Sequence, residues 1–388
     1  MPVQPAVDAC PGMLTLHPAR DGDVARIRLP GGYVTAPQWS AVAAMACEFG
    51  DGNVDITARG NVQIRGLDRR TGDLLADRAA EAGLLPSGPH DRARNITASP
   101  LAGLGHHPPA RDLVRALDAA IVSDPDLAGL PGRFVFAVDD GTGGAALSRS
   151  DVGLRRAGPR ADLYVAGQSA SVRLPGRAAV AAAVEAARAA VRLGVGATAA
   201  RIRDLPGGIP VVIAAVTARL GPAAERIDPG LAAPSEPGRL ALGPMNLAGC
   251  DVLVAGARLG RLTAGQVDLT GSLLRGADVL RLAAAGRVVI PLAVTAEDAA
   301  GRVAGSGLLM SDEDPFAGVS ACSGMVCSRS VADVRAAART LPGHPRTHWA
   351  GCARGCGAPA DADLVIATGP DSFQVGGHPA LLPAAGAS

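Results

Sequence analysis

Lysine is absent: all 37 basic residues of this 388-residue chain are arginines. That excludes Schiff-base chemistry and a Walker-type phosphate loop, both of which need a lysine amine. Any anion site must be built from guanidinium forks, which keep their charge and grip carboxylates through paired hydrogen bonds. GC-rich codons are the main source of this bias, in a chain that is also poor in aromatics and rich in Ala, Gly and Pro. Long apolar runs are missing too. Ile209 to Ala218 and Val288 to Val294 are too short to cross a bilayer, and the second contains Pro291. The net charge of +1 provides no global field for nucleic acid or an anionic membrane, so neither is expected as a partner. No basic-then-apolar leader opens the N-terminus, where Asp8 comes early, and a cytoplasmic, reducing location is expected.

What is present is a chain long enough for two or three domains, with 48% hydrophobic and 19% charged residues, values that exclude a wholly disordered protein. Seven cysteines occur, and four stand close to the C-terminus as C-x4-C…C-x3-C: Cys322, Cys327, Cys352 and Cys356. Four thiolates on two short loops suit an iron–sulfur cluster. A single turn of helix would point Cys352 and Cys356 the same way, and Gly351, Gly355 and Gly357 leave room for an inorganic core. Zinc competes, but structural zinc loops usually use tighter C-x2-C knuckles. Disulfides fit poorly with an odd cysteine count in a reducing compartment, and small buried thiols are the remaining reading. Cys10, Cys47 and Cys250 have no role legible in the sequence.

The chain also contains an internal repeat. Gly32 and Thr35-Ala36-Pro37-Gln38 are echoed by Gly260 and Thr263-Ala264-Gly265-Gln266, each followed by a helix-like stretch, Trp39 to Phe49 and Val267 to Leu274. Both copies close on runs that match without a gap, Ile56 to Ile64 against Leu282 to Ile290. Two strand–helix–strand copies predict a pseudo-twofold core. If the closing run is one strand, Thr57, Arg59, Asn61 and Gln63 share a polar face whose twin carries Ala283, Ala285, Arg287 and Val289. Further helices are expected over 111–121 and 178–193, and a Pro-rich linker between the halves over 228–238.

These residues together resemble the nitrite/sulfite reductase superfamily, and within it the precorrin-3B synthase branch of aerobic cobalamin biosynthesis. Besides the cysteines, Thr57-Ala58-Arg59-Gly60-Asn61-Val62-Gln63 is similar to the family's T-x-R-x-x-x-Q segment. Arg94-Asn95-Ile96-Thr97, followed by Ser99-Pro100-Leu101-Ala102-Gly103, is similar to its R-N-(V/I) segment, and Leu130-Pro131-Gly132-Arg133-Phe134 to its L-P-x-K-F segment. Three positions depart: C-x4-C stands for C-x5-C, Arg133 for a lysine, and Val135 for a second lysine.

The resemblance implies an α+β fold: two ferredoxin-like half domains (14–85 and 239–300) related by a pseudo-twofold, a sulfite-reductase-like α/β middle domain (90–226), a linker (227–238) and a C-terminal cluster domain (301–383). It implies Arg59, Arg94 and Arg133 as active-site arginines, Thr57, Gln63 and Asn95 as substrate contacts, and the four cysteines as ligands of a [4Fe-4S] cluster. The activity implied is an oxygen-dependent monooxygenase that hydroxylates precorrin-3A with γ-lactone formation, using dioxygen and electrons from NADH through a reductase or ferredoxin. A mononuclear non-haem iron, with His106, His107 and His348 as candidate ligands, and siroheme stay open. So do two alternatives, a siroheme-dependent nitrite or sulfite reductase and a noncatalytic iron–sulfur carrier or sensor.

Overall fold

The computed structural model describes residues 8, 10–168, 172–227, 238–340, 346–359, 362–375 and 378–380, the last three as backbone. Of the expected linker only 227 and 238 are among them, and the tail after Pro383 lies outside. The chain divides into two compact units, one of Met1–His17, Arg26–Tyr33 and Ala79–Arg239, the other of Pro18–Ala25, Val34–Arg78 and Leu240–Ser388.

The first unit is an α/β layer. Its six-stranded sheet runs Glu225–Arg226, Val172–Pro175, Arg160–Val165, Val152–Ala157, Phe136–Asp139, Ile96–Ala98. The last three strands are mutually parallel, and the rest of the sheet is antiparallel. The sheet packs against helices Arg111–Val122, Ala179–Arg192 and Gly208–Leu220. Alanine carries much of the helix packing: Ala182, Ala183, Ala186, Ala187, Ala189 and Ala190 are all buried, and side chains this small let the backbone approach closely.

The second unit contains the duplication. Two five-stranded sheets have the orders His17–Ala19, Gly22–Ile27, Val62–Leu67, Asn53–Ile56, Arg261–Thr263 and Gly243–Leu247, Cys250–Gly256, Arg287–Pro291, Leu280–Ala283, Tyr33–Val34. The last strand of each belongs to the other repeat. Tyr33–Val34 leads into helix Ala36–Phe49 yet completes the second sheet, while Arg261–Thr263 leads into helix Ala264–Ser272 yet pairs with Asn53–Ile56, Leu262 opposite Val54.

Both helices start with the same capping box. Thr35 Oγ1 accepts from Gln38 N at 3.4 Å and Gln38 Oε1 from Thr35 N at 3.2 Å; Thr263 and Gln266 repeat this at 3.2 and 2.9 Å. Fully buried Trp39 ties the helices together, its indole N–H donating to Thr270 Oγ1 at 2.9 Å. Thr270 spends its own proton on the Gln266 and Val267 carbonyls, so the indole is its remaining donor. Trp39→Phe should cost about 1–3 kcal/mol, read as a lower denaturant midpoint with an unchanged slope.

The closing run of each repeat is a hairpin rather than one strand. Asn53–Ile56 and Val62–Leu67 pair antiparallel, Asp55 opposite Gln63, and residues 57–61 form the turn. Thr57 Oγ1 accepts from Asn61 N at 3.1 Å and Arg59 N at 3.4 Å, and Gly60 at φ +69° takes a backbone shape an L side chain resists. The polar face expected from Thr57, Arg59, Asn61 and Gln63 is therefore mostly a hairpin tip. The twin hairpin has its 3-10 turn at Ala284–Gly286, with Ala285 at φ +58° and Gly286 at +68°.

A third five-stranded sheet ends this unit, in the order Val319–Ala321, Thr347–Ala350, Asp363–Gly369, Ser372–Val375, His378–Ala380. Its first three strands are parallel. Trp349 and Phe373 meet edge to face at 5.4 Å in its core, beside Val334 and Ala338 of helix Val334–Thr340.

Candidate functional site

The four cysteines lie on the loops that leave two neighbouring parallel strands. Cys322 follows Val319–Ala321 directly and Cys352 comes two residues after Thr347–Ala350. The carboxyl ends of parallel strands are the usual place for a ligand, because the following loops can all turn toward it. Cys322 N donates to Trp349 O at 2.9 Å and Val331 N to Gly351 O at 3.0 Å, which joins the two cysteine loops. Two amides, Gly351 N at 3.2 Å and Gly324 N at 3.4 Å, donate to Cys322 Sγ.

None of the seven cysteines is in a disulfide among the described residues. Burial pushes the Cys356 thiol up, Arg354 opposes this, and the charges of Cys352, Cys322 and Cys327 push it further, so these three sulfurs lie within electrostatic reach of Cys356. Among the described residues no three His, Cys, Asp or Glu side chains converge as a lone metal ion requires. The helical turn expected at Cys352 and Cys356 is absent. Residues 352–358 instead form two reverse turns, Gly355 N to Cys352 O and Ala358 N to Gly355 O, with Gly355 and Gly357 at positive φ.

Three arginines that sequence reasoning passed over hold the C-x4-C loop. Arg20 donates to the carbonyls of Met325 at 3.3 Å and Ser328 at 3.2 Å. Arg65, buried and paired with Asp21 through two bonds of 3.1 Å, also reaches Ser323 Oγ at 3.3 Å. Arg335 Nε donates to Cys322 O at 3.0 Å, and its Nη2 lies 3.7 Å from Asp55 Oδ1. Asp55 also receives Arg261 at 2.7 and 2.9 Å.

Burial alone would raise the Asp55 pKa, but the Arg261 hydrogen bond and the charges of Arg335, Arg261 and Arg65 hold it below the ordinary carboxylate value. The native value thus lies below that of unfolded Asp, about 3.9. Its stabilisation is complete above the unfolded value and is lost as pH falls through the native one. Asp55→Asn should cost about 3 kcal/mol at neutral pH and flatten the loss of stability below about pH 4, read from denaturant midpoints across that range.

The sequence-derived site residues fall in both units. In the second unit Arg59 is half-buried at the hairpin tip, with Thr57 supporting the turn and Gln63 half-buried on the strand beyond. In the first, Arg94 is buried and bidentate on Asp118 at 2.8 and 2.9 Å, its remaining arm on Leu84 O at 3.2 Å. Asn95 bridges the Gly132 and Phe134 carbonyls, both at 3.0 Å, and Arg133 is exposed. His348 uses both ring nitrogens, Nδ1 with Ser320 Oγ at 2.9 Å and Nε2 with Cys356 O at 3.1 Å. Burial and, secondarily, the nearby Arg335 charge bring its pKa to about 4 despite the Cys356 bond, so it is neutral at pH 7 and donates from Nε2. It braces the cysteine loop and has no free nitrogen for a metal. His106 is exposed, and His107 Nδ1 lies 3.5 Å from Asp140 Oδ2.

Comparison with known proteins adds names to this geometry. Residues 17–81 match the profile of the nitrite/sulfite reductase ferredoxin-like half domain. A precorrin-3B synthase of Sinorhizobium sp. is 28% identical over 394 residues, covering 94% of this chain and 81% of that protein. The half-domain match, the relative similar over most of the chain and the shared fold together support the nitrite/sulfite reductase superfamily. Two ferredoxin–nitrite reductases share shorter stretches: that of Leptolyngbya laminosa is 36% identical over 122 residues, 29% of this chain and 24% of the relative, and that of Synechococcus elongatus is 35% identical over 127 residues, 30% and 25%. The solved NirA protein of Mycobacterium tuberculosis has the same fold, with a TM-score of 0.70 at 21% identity over 91% of this chain and 74% of that one. The superfamily architecture of paired half domains with a middle α/β layer is thus present. Among the described residues no helix is long and apolar enough to cross a membrane.

Proposed function

We propose that this protein is an iron–sulfur monooxygenase of the precorrin-3B synthase type, with a [4Fe-4S] cluster held by Cys322, Cys327, Cys352 and Cys356. The observation that supports the reading is the emergence of both cysteine loops from the carboxyl ends of adjacent parallel strands, in a chain similar to a precorrin-3B synthase over 94% of its length. When bound, the cluster supplies single electrons. Inserting one oxygen atom of dioxygen into precorrin-3A and releasing the other as water consumes two electrons, drawn ultimately from NADH or ferredoxin, and two protons, supplied at least in part by the solvent.

The chain's own residues bind and orient the substrate, a ring fringed with carboxylates. The reading gives Arg59 a carboxylate contact, since the hairpin turn fixes its backbone and leaves its side chain half-exposed. Thr57 holds that turn and Gln63 supplies a neutral polar contact. Exposed Arg133 is a second guanidinium for the same class of ligand, while Arg94, committed to Asp118, and Asn95 position the Gly132-Arg133-Phe134 segment and its surroundings.

The deciding experiment measures iron, acid-labile sulfide and the visible spectrum of anaerobically prepared protein, then supplies precorrin-3A, dioxygen and a reductant. A product heavier by one oxygen atom is expected. The local similarity to nitrite reductases favours one rival. A siroheme spectrum with nitrite or sulfite turnover, and no oxygenated precorrin, would overturn the synthase reading.

A further inference from the structure

The charge around Arg335 exceeds what holding a loop requires. Its side chain is only 13% exposed, in the first turn of helix Val334–Thr340. Nε bonds the Cys322 carbonyl, Nη2 stands 3.7 Å from Asp55 Oδ1, an oxygen that already accepts from Arg261 Nε, and buried Nη1 has no hydrogen-bond partner. Arg65 and Arg261 crowd it with like charge, and the negative charges nearby that favour its cationic form are those of Asp55 and Cys322. A surface arginine would swing out to water. This one is held in, with part of its charge uncompensated, against the first cysteine of the set.

We propose that Arg335 sets the reduction potential of the cluster, and that Asp55 is its counterweight. The inference rests on the cluster reading above. When an external one-electron donor reduces the cluster, the centre gains one negative charge and the donor is oxidised by one electron. A fixed cation beside Cys322 stabilises the reduced state more than the oxidised one, and low local polarity limits screening of the effect. Asp55 acts in the opposite direction by neutralising part of that cation. Arg335 touches no substrate; it is a positioning residue that acts through the cluster's surroundings.

The test is a potentiometric titration, followed by EPR of the reduced cluster in the full-length protein, with dithionite as reductant. Arg335→Gln should make reduction at least tenfold less favourable, a shift of about 59 mV to more negative potential for one electron. Arg335→Lys, which keeps the charge, should stay within threefold of the parent. Asp55→Asn should move the potential upward. Opposite shifts from two variants that both weaken the same network cannot come from destabilisation alone. An unchanged potential in Arg335→Gln with full iron and sulfide content would overturn the proposal, as would equal falls in the Gln and Lys variants. If Arg335→Gln does not assemble a cluster, an unchanged or lowered potential in Asp55→Asn overturns it instead. Absence of iron and sulfide from the parent protein would sink the cluster reading itself, a separate and earlier outcome.

Discussion

Cys352→Ser is expected to bring iron and acid-labile sulfide to background and to abolish the visible absorption of the anaerobic protein. A serine hydroxyl, with a far higher pKa than a thiol, does not supply the thiolate a cluster corner needs. The loss should extend to stability. The two cysteine loops are joined by few bonds, mainly Cys322 N to Trp349 O and Val331 N to Gly351 O, and four ligands to one core would fasten them far more firmly. Binding free energy available only to the folded state is folding free energy, so the variant should unfold at lower denaturant than the parent. A serine variant that kept four irons and its spectrum would remove Cys352 from the ligand set.

Arg59→Ala should separate binding from electron transfer. The turn that carries Arg59 is closed by Thr57, Asn61 and Gly60, so the hairpin should survive removal of the side chain. Losing one charge-assisted contact to a carboxylate costs about 1.5–3 kcal/mol, which corresponds to roughly tenfold to over a hundredfold weaker binding of precorrin-3A. The cluster spectrum should be unchanged, because the C-x4-C loop is held by Arg20, Arg65 and Arg335. Equilibrium binding followed by fluorescence or calorimetry measures the first effect, and absorption and EPR the second. Parent-like affinity in Arg59→Ala would show that substrate carboxylates are held elsewhere.

The duplication was legible because capping has a local signature: Thr35…Gln38 and Thr263…Gln266 announce the helix starts before any contact is known. The placement of the cysteines on two short loops was legible for a similar reason, since both spacings are local. The hairpin was not. Alternation of polar residues from Thr57 to Gln63 imitates a strand face, and the contrary signal was Gly60, matched by Gly286 in the twin, where a positive φ breaks the run. Nor was the charged support legible. Arg335 sits in Val-Ala-Asp-Val-Arg-Ala-Ala-Ala-Arg, which reads as an ordinary solvated helix, and its partners Cys322 and Asp55 are distant in sequence. Arg94 reads as a free cation until Asp118, on the helix beyond, takes both of its arms. Long-range pairing decides which charges are structural, and one sequence carries no trace of it.

The exchanged edge strands have a consequence for assembly. Since each sheet borrows its fifth strand from the other copy, a solitary copy would expose a raw edge that only a sibling could cover. A core built from one copy per chain would then need a second chain to cover that edge. Carrying both copies in one chain removes any need for their tips to match, and here one holds a guanidinium, Arg59, where the other has a methyl group, Ala285.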